Sequence, residues 1–279
     1  MRSFLLILIA ALIMPLALQA QTLERIKSSG EIKFGYRTDA APLSFENDAG
    51  RPQGYSPIVC FAMAERLGAE LGLEELDIVF ERVDTSNRFD KVASGEIDLL
   101  CGAATITLSR RELVDFSVPT YVDGTTVLLQ RDGVSSLAEL SGKKVGVRGN
   151  TTTEEALNNS LAADGIDAEV VTYDDHADAI TAMENREIDG YFADQSILIN
   201  LLLASEKQDQ FKVFDGILTV EKHGFAMARG DTDFRLAVDT VLSELFLDGS
   251  MARAFEKALP GAEAGGALEA LFLLSPTLP

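Results

Sequence analysis

The feature that most restricts the fold of this chain is one hydrophobic pattern written twice. Ile32, Phe34 and Tyr36 alternate as a strand, Pro57 to about Leu71 repeats apolar residues at helical spacing, and Ile78 with Phe80 marks a second strand. A short helix from Ser86 to about Ala93 and a strand from Ile97 to Cys101 come next, so residues 31–101 read β-α-β-α-β. The order returns over 144–192. Val145 and Val147 form a strand, Thr153 to about Leu161 a helix, Val170 to Thr172 a strand, His176 to about Asn185 a helix, and Ile188 to Phe192 a strand. Glu96-Ile97-Asp98 and Glu187-Ile188-Asp189 stand at matching places, each leading into the third strand of its unit. Two such units predict an α/β protein of two lobes, each a mainly parallel sheet flanked by helices.

The connections predict how the lobes are joined. Tyr121 to Gln130 is an extended run containing Gly124, and Val220 to Ala228 is a second one. Two crossing strands make a natural hinge. The helices from about Thr232 to Leu247 and Met251 to Leu259 are assigned to the first lobe, and the apolar patch Leu268 to Leu274 is expected to dock on a lobe. The expected division is a signal peptide at 1–20, lobe 1 at 21–122, lobe 2 at 123–221, and the rest of lobe 1 with a helical tail at 222–279.

The expected signal peptide rests on Arg2, the apolar run from Phe4 to Met14 and the small residue Ala20. It implies export to the periplasm, with the cleavage site left open because Leu18 stands two residues before Ala20. The net charge of −20 argues against nucleic acid and anionic membrane surfaces as partners. It does not forbid a local positive cleft, because charge is screened within about 8 Å at physiological salt. Cys60 and Cys101 suit either an exported disulfide or two buried thiols. Two histidines and no Cys/His cluster imply no metal site, and nothing in the sequence implies a cofactor.

Ligands of open α/β sheets bind beyond the carboxyl ends of the strands. After the strands of the first unit come Arg37, then Thr85 and Arg88, then Thr105 and Arg110. After those of the second come Thr151 and Thr152, then His176, then Asp194. Plain structural roles compete for several of these. Thr85 or Ser86 could cap a helix beside a solvated Arg88, Thr151 with Glu154 fits a capping box, His176 suits an ordinary helix start, and Asp194 could cap the next helix. Two facing lobes would gather the whole set into one cleft.

Four stretches carry a resemblance: GYRTDAAPLSFENDAGRPQGYS (35–56), TSNRFDKVASGEIDLLCGAATITLSRRELVDFS (85–117), LAELSGKKVGVRGNTTTEEAL (137–157) and DHADAITAMENREIDGYFADQSIL (175–198). In this order they resemble the family 3 periplasmic solute-binding proteins of polar amino-acid ABC importers, and within them the glutamate/aspartate-binding proteins. The resemblance implies a two-lobed type II periplasmic binding fold with no catalytic residues. Its partners would be a small amino acid, captured by lobe closure, and an inner-membrane permease, with the binding protein itself a monomer. It implies that Arg110, helped by Thr105, Thr151 and Thr152, clamps the ligand's α-carboxylate, and that Asp194 accepts the α-ammonium. Arg37, Thr85, Arg88 and His176 would surround a side-chain carboxylate. Ala103 stands where close relatives have a serine, and Thr85 replaces another. A zwitterion needs one cation and one anion, so Arg110 and Asp194 leave Arg37 and Arg88 in surplus, which suits glutamate or aspartate. The alternatives are a general polar amino-acid binder that takes glutamine, an exported dehydratase of the cyclohexadienyl type with His176 as its acid or base, and a sensory ligand-binding domain.

Overall fold

A computed structural model describes residues 22–277, so the expected signal peptide at 1–20 lies outside the described residues. The chain opens with α1 (Thr22–Ser29) and β1 (Glu31–Arg37), then the short strands β2 (Asp39–Ala40), β3 (Ser44–Glu46) and β4 (Pro52–Gln53). Next come α2 (Tyr55–Glu70), β5 (Asp77–Val83), α3 (Arg88–Ala93), β6 (Leu99–Leu100) and β7 (Val114–Phe116). The crossing strand β8 (Tyr121–Gln130) leads to β9 (Lys144–Arg148), α4 (Thr152–Asp164), β10 (Glu169–Tyr173) and α5 (His176–Glu184). After them come β11 (Gly190–Asp194), α6 (Gln195–Ala204) and β12 (Phe211–Val213). The return strand β13 (Thr219–His223) precedes β14 (Ala226–Ala228), α7 (Thr232–Leu247), α8 (Ser250–Ala258) and α9 (Gly266–Leu274).

The duplicated pattern gives duplicated topology. One sheet has the order β5-β1-β6-β14-β7 and the other β10-β9-β11-β8-β12, with β13 also paired to β8. In each, the first strand of the repeat lies between the second and third and runs parallel to both. Beyond the repeat, each sheet takes in a strand that runs against its neighbours. β14 is antiparallel to β6 and β7, and β8 is antiparallel to β11, β12 and β13. They enter from the hinge rather than through a helical crossover, so the direction imposed by a β-α-β unit does not apply to them. A third, three-stranded sheet β2-β3-β4 is built from strands too short to leave a periodic trace in the sequence.

Each sheet is covered on both faces. α2 turns Val59, Cys60, Met63, Ala64 and Leu67 inward at helical spacing, against β1, β6 and the helices α7 and α8. It starts at Gly54, which has φ +111°, and a Cβ there would stand 2.7 Å from the backbone of Leu43 and Pro42. Only glycine fits that turn. Cys60 and Cys101 form a disulfide that joins α2 to the segment just after β6, closing a sequence separation of 41 residues. The tail docks on this same core through Leu268, Leu271 and Phe272, while Leu273 and Leu274 face outward.

The two crossings pair with each other. Tyr121 to Thr125 of β8 face Thr219 to His223 of β13 in antiparallel register, with Asp123 opposite Glu221. A Cβ on Gly124 would lie 2.6 Å from the Thr219 carbonyl oxygen, so glycine is what lets the two strands approach.

Candidate functional site

Between the lobes lies a small cavity. The first lobe contributes Arg37, Arg88, Ala103, Thr105 and Arg110, and the second contributes Arg148, Thr151, Thr152, Thr153, His176, Ala193, Asp194 and Ile197. Nine of the ten residues expected at the site line this space. The tenth, Thr85, is buried three residues before Arg88 but is not among the lining residues.

The positions arise from the strand ends. Arg37 closes β1, Arg148 closes β9 and Asp194 closes β11, while Arg88, Thr152 and His176 each open a helix. Arg110 lies in a short 3-10 turn at Arg110–Glu112.

Arg88 is the least compensated of these groups. It is 2% exposed, and its Nη2 donates to the Asn150 carbonyl at 3.0 Å across the cleft. Its Nε and Nη1 are buried without a hydrogen-bond partner among the described residues. Burial, then the neighbouring Arg37, Arg110 and Arg148 guanidiniums, press its pKa down to about 8. The reading of Arg88 as a solvated surface residue is therefore wrong, because the helix packs it inward. Arg110 donates from Nη1 to the Thr105 carbonyl at 2.8 Å and has its guanidinium carbon 5.0 Å from the Phe89 ring centre. The same ring holds Arg88 at 4.7 Å, so one aromatic side chain supports both cations.

Arg37, 3% exposed, is not the free cation that a count of site charges implies. Its Nε donates to Asp39 Oδ1 at 2.6 Å, and the other oxygen of Asp39 receives Arg148 Nε at 2.9 Å. Arg37 Nη2 lies 2.6 Å from the same Oδ1 but has no hydrogen directed at it. Burial would push Asp39 up, yet Arg37, His176 and Arg148 outweigh it and hold its pKa at about 2. Asp39 and Arg148 are both additions to the set of residues expected from the sequence.

Asp194 precedes α6 but makes no side-chain cap there, which removes the capping reading. Among the described residues its carboxylate has only Thr153 Oγ1 at 3.5 Å and His223 Nε2 at 3.5 Å. Burial, and next the Glu221 charge, raise its pKa to about 7. Thr151 does cap α4, accepting from Glu154 N at 3.1 Å, so its hydroxyl serves the helix although it lines the cavity. The Thr105 and Thr152 hydroxyls both donate to Glu221 Oε2, at 2.5 and 2.7 Å. Thr125 adds a bond to Oε1 at 2.8 Å. The hydroxyls expected to assist a ligand carboxylate are thus committed to a buried carboxylate on β13, which needs donors of its own. His176 is buried and paired through Nδ1 with the Tyr191 hydroxyl at 2.6 Å. Burial, then Arg37, lower its pKa to about 3, so its imidazole is neutral at physiological pH.

Among the described residues, four guanidiniums and one carboxylate thus line this cavity. Residues 32–260 match the bacterial extracellular solute-binding proteins, family 3. The chain belongs to that family. Among relatives, this solute-binding protein is 27% identical over 238 residues to an L-glutamate/L-aspartate-binding protein of Pseudomonas aeruginosa, covering 85% of this chain and 79% of the relative. It is 28% identical over 240 residues to an L-cystine-binding protein of Escherichia coli, covering 84% and 85%. Among solved structures, an ancestral amino acid-binding protein that is a precursor of cyclohexadienyl dehydratase matches with a TM-score of 0.74 at 26% identity, over 85% of this chain and 98% of that one. Among the described residues, no helix is long and apolar enough to cross a membrane.

The role expected of Asp194 from the sequence, as acceptor of a ligand ammonium, carries a pH prediction for this solute-binding protein. A ligand ammonium requires the ionised carboxylate, whereas the ligand-free group, with its pKa near 7, takes up a proton below that pH. Binding must then expel the proton, so affinity should weaken as pH falls below about 7, approaching tenfold per pH unit. Titrations between about pH 5.5 and 8.5 should show this slope, and Asp194→Asn should flatten it. A flat wild-type profile would remove Asp194 as the ammonium acceptor.

Proposed function

We propose that this protein is the exported ligand-capturing component of an ABC importer, that it binds L-glutamate or L-aspartate between its lobes, and that it delivers the amino acid to a membrane permease. The observation that carries this reading is Arg88, a buried guanidinium with two unpartnered donors, in a cavity where cations outnumber carboxylates. In the proposed arrangement the α-carboxylate meets Arg110 and the α-ammonium meets Asp194. The second carboxylate meets Arg88, with Arg37 and the neutral His176 beside it. Each contact would replace an uncompensated buried charge by a charge-assisted hydrogen bond. The Pseudomonas relative's named ligands agree with this chemistry. The division of the chain at 122 and 221, the periplasmic location and the monomeric state belong to the same proposal. Capture would proceed by docking on one lobe and swinging the other about β8 and β13.

A dehydratase is less well supported, despite the ancestral neighbour. A general acid or base works best with a pKa near the working pH. His176 is held far below that range, and its partner is a phenol rather than a carboxylate.

Titration calorimetry with glutamate, aspartate, glutamine and asparagine tests the reading. The acids should bind at least about a hundredfold more tightly than their amides, the equivalent of two charge-assisted contacts. Equal affinity for glutamate and glutamine would discard the acidic preference, and no binding of any amino acid would discard the function.

A further inference from the structure

We propose that Asp39 and Arg148 set the charge preference of the site, as a cluster in which a carboxylate of the protein itself competes with the carboxylate of the ligand. This rests on the proposed amino-acid-binding function and names the residues that would tune it. Asp39 belongs to β2 in the first lobe and Arg148 to the end of β9 in the second, so their bond spans the cleft. Each oxygen of Asp39 takes one guanidinium, Arg37 on Oδ1 and Arg148 on Oδ2. Arg148 is also fixed by its own Nη1, which donates to the Tyr173 carbonyl at 3.2 Å. All three side chains are almost fully buried, with exposures of 4% for Arg37, 7% for Asp39 and 6% for Arg148.

The cluster carries one net positive charge, and two of its members, Arg37 and Arg148, line the cavity. Arg37 retains an unpartnered Nη2 donor. A ligand with a second carboxylate answers that charge, and a neutral side chain does not. Asp39 already neutralises half of the pair, so it limits how strongly the site demands an acidic ligand. Removing Asp39 leaves two buried cations to be satisfied by the ligand alone. Removing Arg148 leaves Arg37 and Asp39 as a balanced pair, so this cluster no longer adds to the demand of Arg88 for a second ligand carboxylate. The two substitutions therefore push selectivity in opposite directions, which a merely structural ion pair does not do.

The test is the ratio of glutamate to glutamine affinity, measured by calorimetry on purified full-length variants. Asp39→Asn should raise this ratio at least about tenfold over wild type, and Arg148→Met should lower it at least about tenfold, the scale of one charge-assisted bond. The double variant keeps only Arg37 and so restores the wild-type net charge of one, and its ratio should return to within about threefold of wild type. Arg148→Lys keeps the charge but loses the fork, so both affinities should fall while the ratio stays within about threefold. If Asp39→Asn does not fold, the contrast between Arg148→Met and Arg148→Lys decides the matter alone. Parallel loss of both ligands in every variant, with the ratio unmoved, would overturn the inference. The wild-type ratio reports separately on the proposed function, because the shifts are read relative to it. A wild-type protein that binds neither amino acid overturns both.

Discussion

Arg88→Met is expected to weaken glutamate binding about a hundredfold and, at the same time, to raise the melting temperature of the ligand-free protein. Both signs come from the same burial. Arg88 is 2% exposed, with two guanidinium nitrogens unpartnered and only the Asn150 carbonyl to answer the third. A buried charge without a counter-charge costs several kcal/mol, and replacing a buried ion by an apolar side chain of similar volume often stabilises by about 1–4 kcal/mol. For a chain of this size that is a rise of several degrees. Methionine keeps the length and the packing over Phe89, so the cavity wall should survive. The loss appears on binding, where the ligand's second carboxylate no longer finds its cation. That loss is about 2–3 kcal/mol, or roughly a hundredfold. Glutamine should lose far less. Thermal unfolding with and without glutamate checks both halves. A variant that melts lower yet binds glutamate as wild type does would make Arg88 a structural residue.

Arg110→Ala is expected to weaken every α-amino acid by about a thousandfold or more, with no discrimination between acids and amides. Arg110 lines the cavity, is supported by Phe89 and the Thr105 carbonyl, and has no salt-bridge partner among the described residues. Burial is the main influence lowering its pKa, with Glu155, Glu221 and Asp194 opposing from a distance. Losing a bidentate partner for a buried carboxylate costs about 2–5 kcal/mol or more, much of it from the ligand charge left unpaired. The hydroxyls of Thr105 and Thr152 offer no substitute, because Glu221 already holds them. Calorimetry across acidic, amide and neutral amino acids should show the same collapse for each. Loss confined to glutamate and aspartate would move Arg110 to the side-chain end and reverse the assumed orientation of the ligand.

The duplicated sheets are legible in the sequence because each repeat buries its strands and one helix face, and burial leaves a periodic trace. The crossing strand Tyr121–Gln130 and the helix Thr232–Leu247 are legible to the residue, being bounded by polar or glycine positions. Arg37 and Asp194 close strands, and Arg88 and Arg110 lie in the connections that follow strands, at the edge where an open sheet meets its ligand. Arg148 carries the same mark, directly after the inward-facing Val147, but the threonines beside it bear the stronger signature of a helix start. Asp39 gives no such signal, since it sits in a loop that pairs into the small third sheet only in three dimensions. Glu221 and His223 share a face of β13 with Thr219, a period-two trace that the sequence does contain. Their meaning depends on the register with β8, which periodicity does not specify. The antiparallel directions of β8 and β14 are hidden for the same reason.

The most direct measurement is a crystal structure of the protein with L-glutamate. The side-chain carboxylate should lie within about 3.2 Å of Arg88 Nε or Nη1, the α-carboxylate on Arg110, and the ammonium against Asp194. Glutamate bound with its side chain away from Arg88, or outside the cleft between the two sheets, would contradict this arrangement.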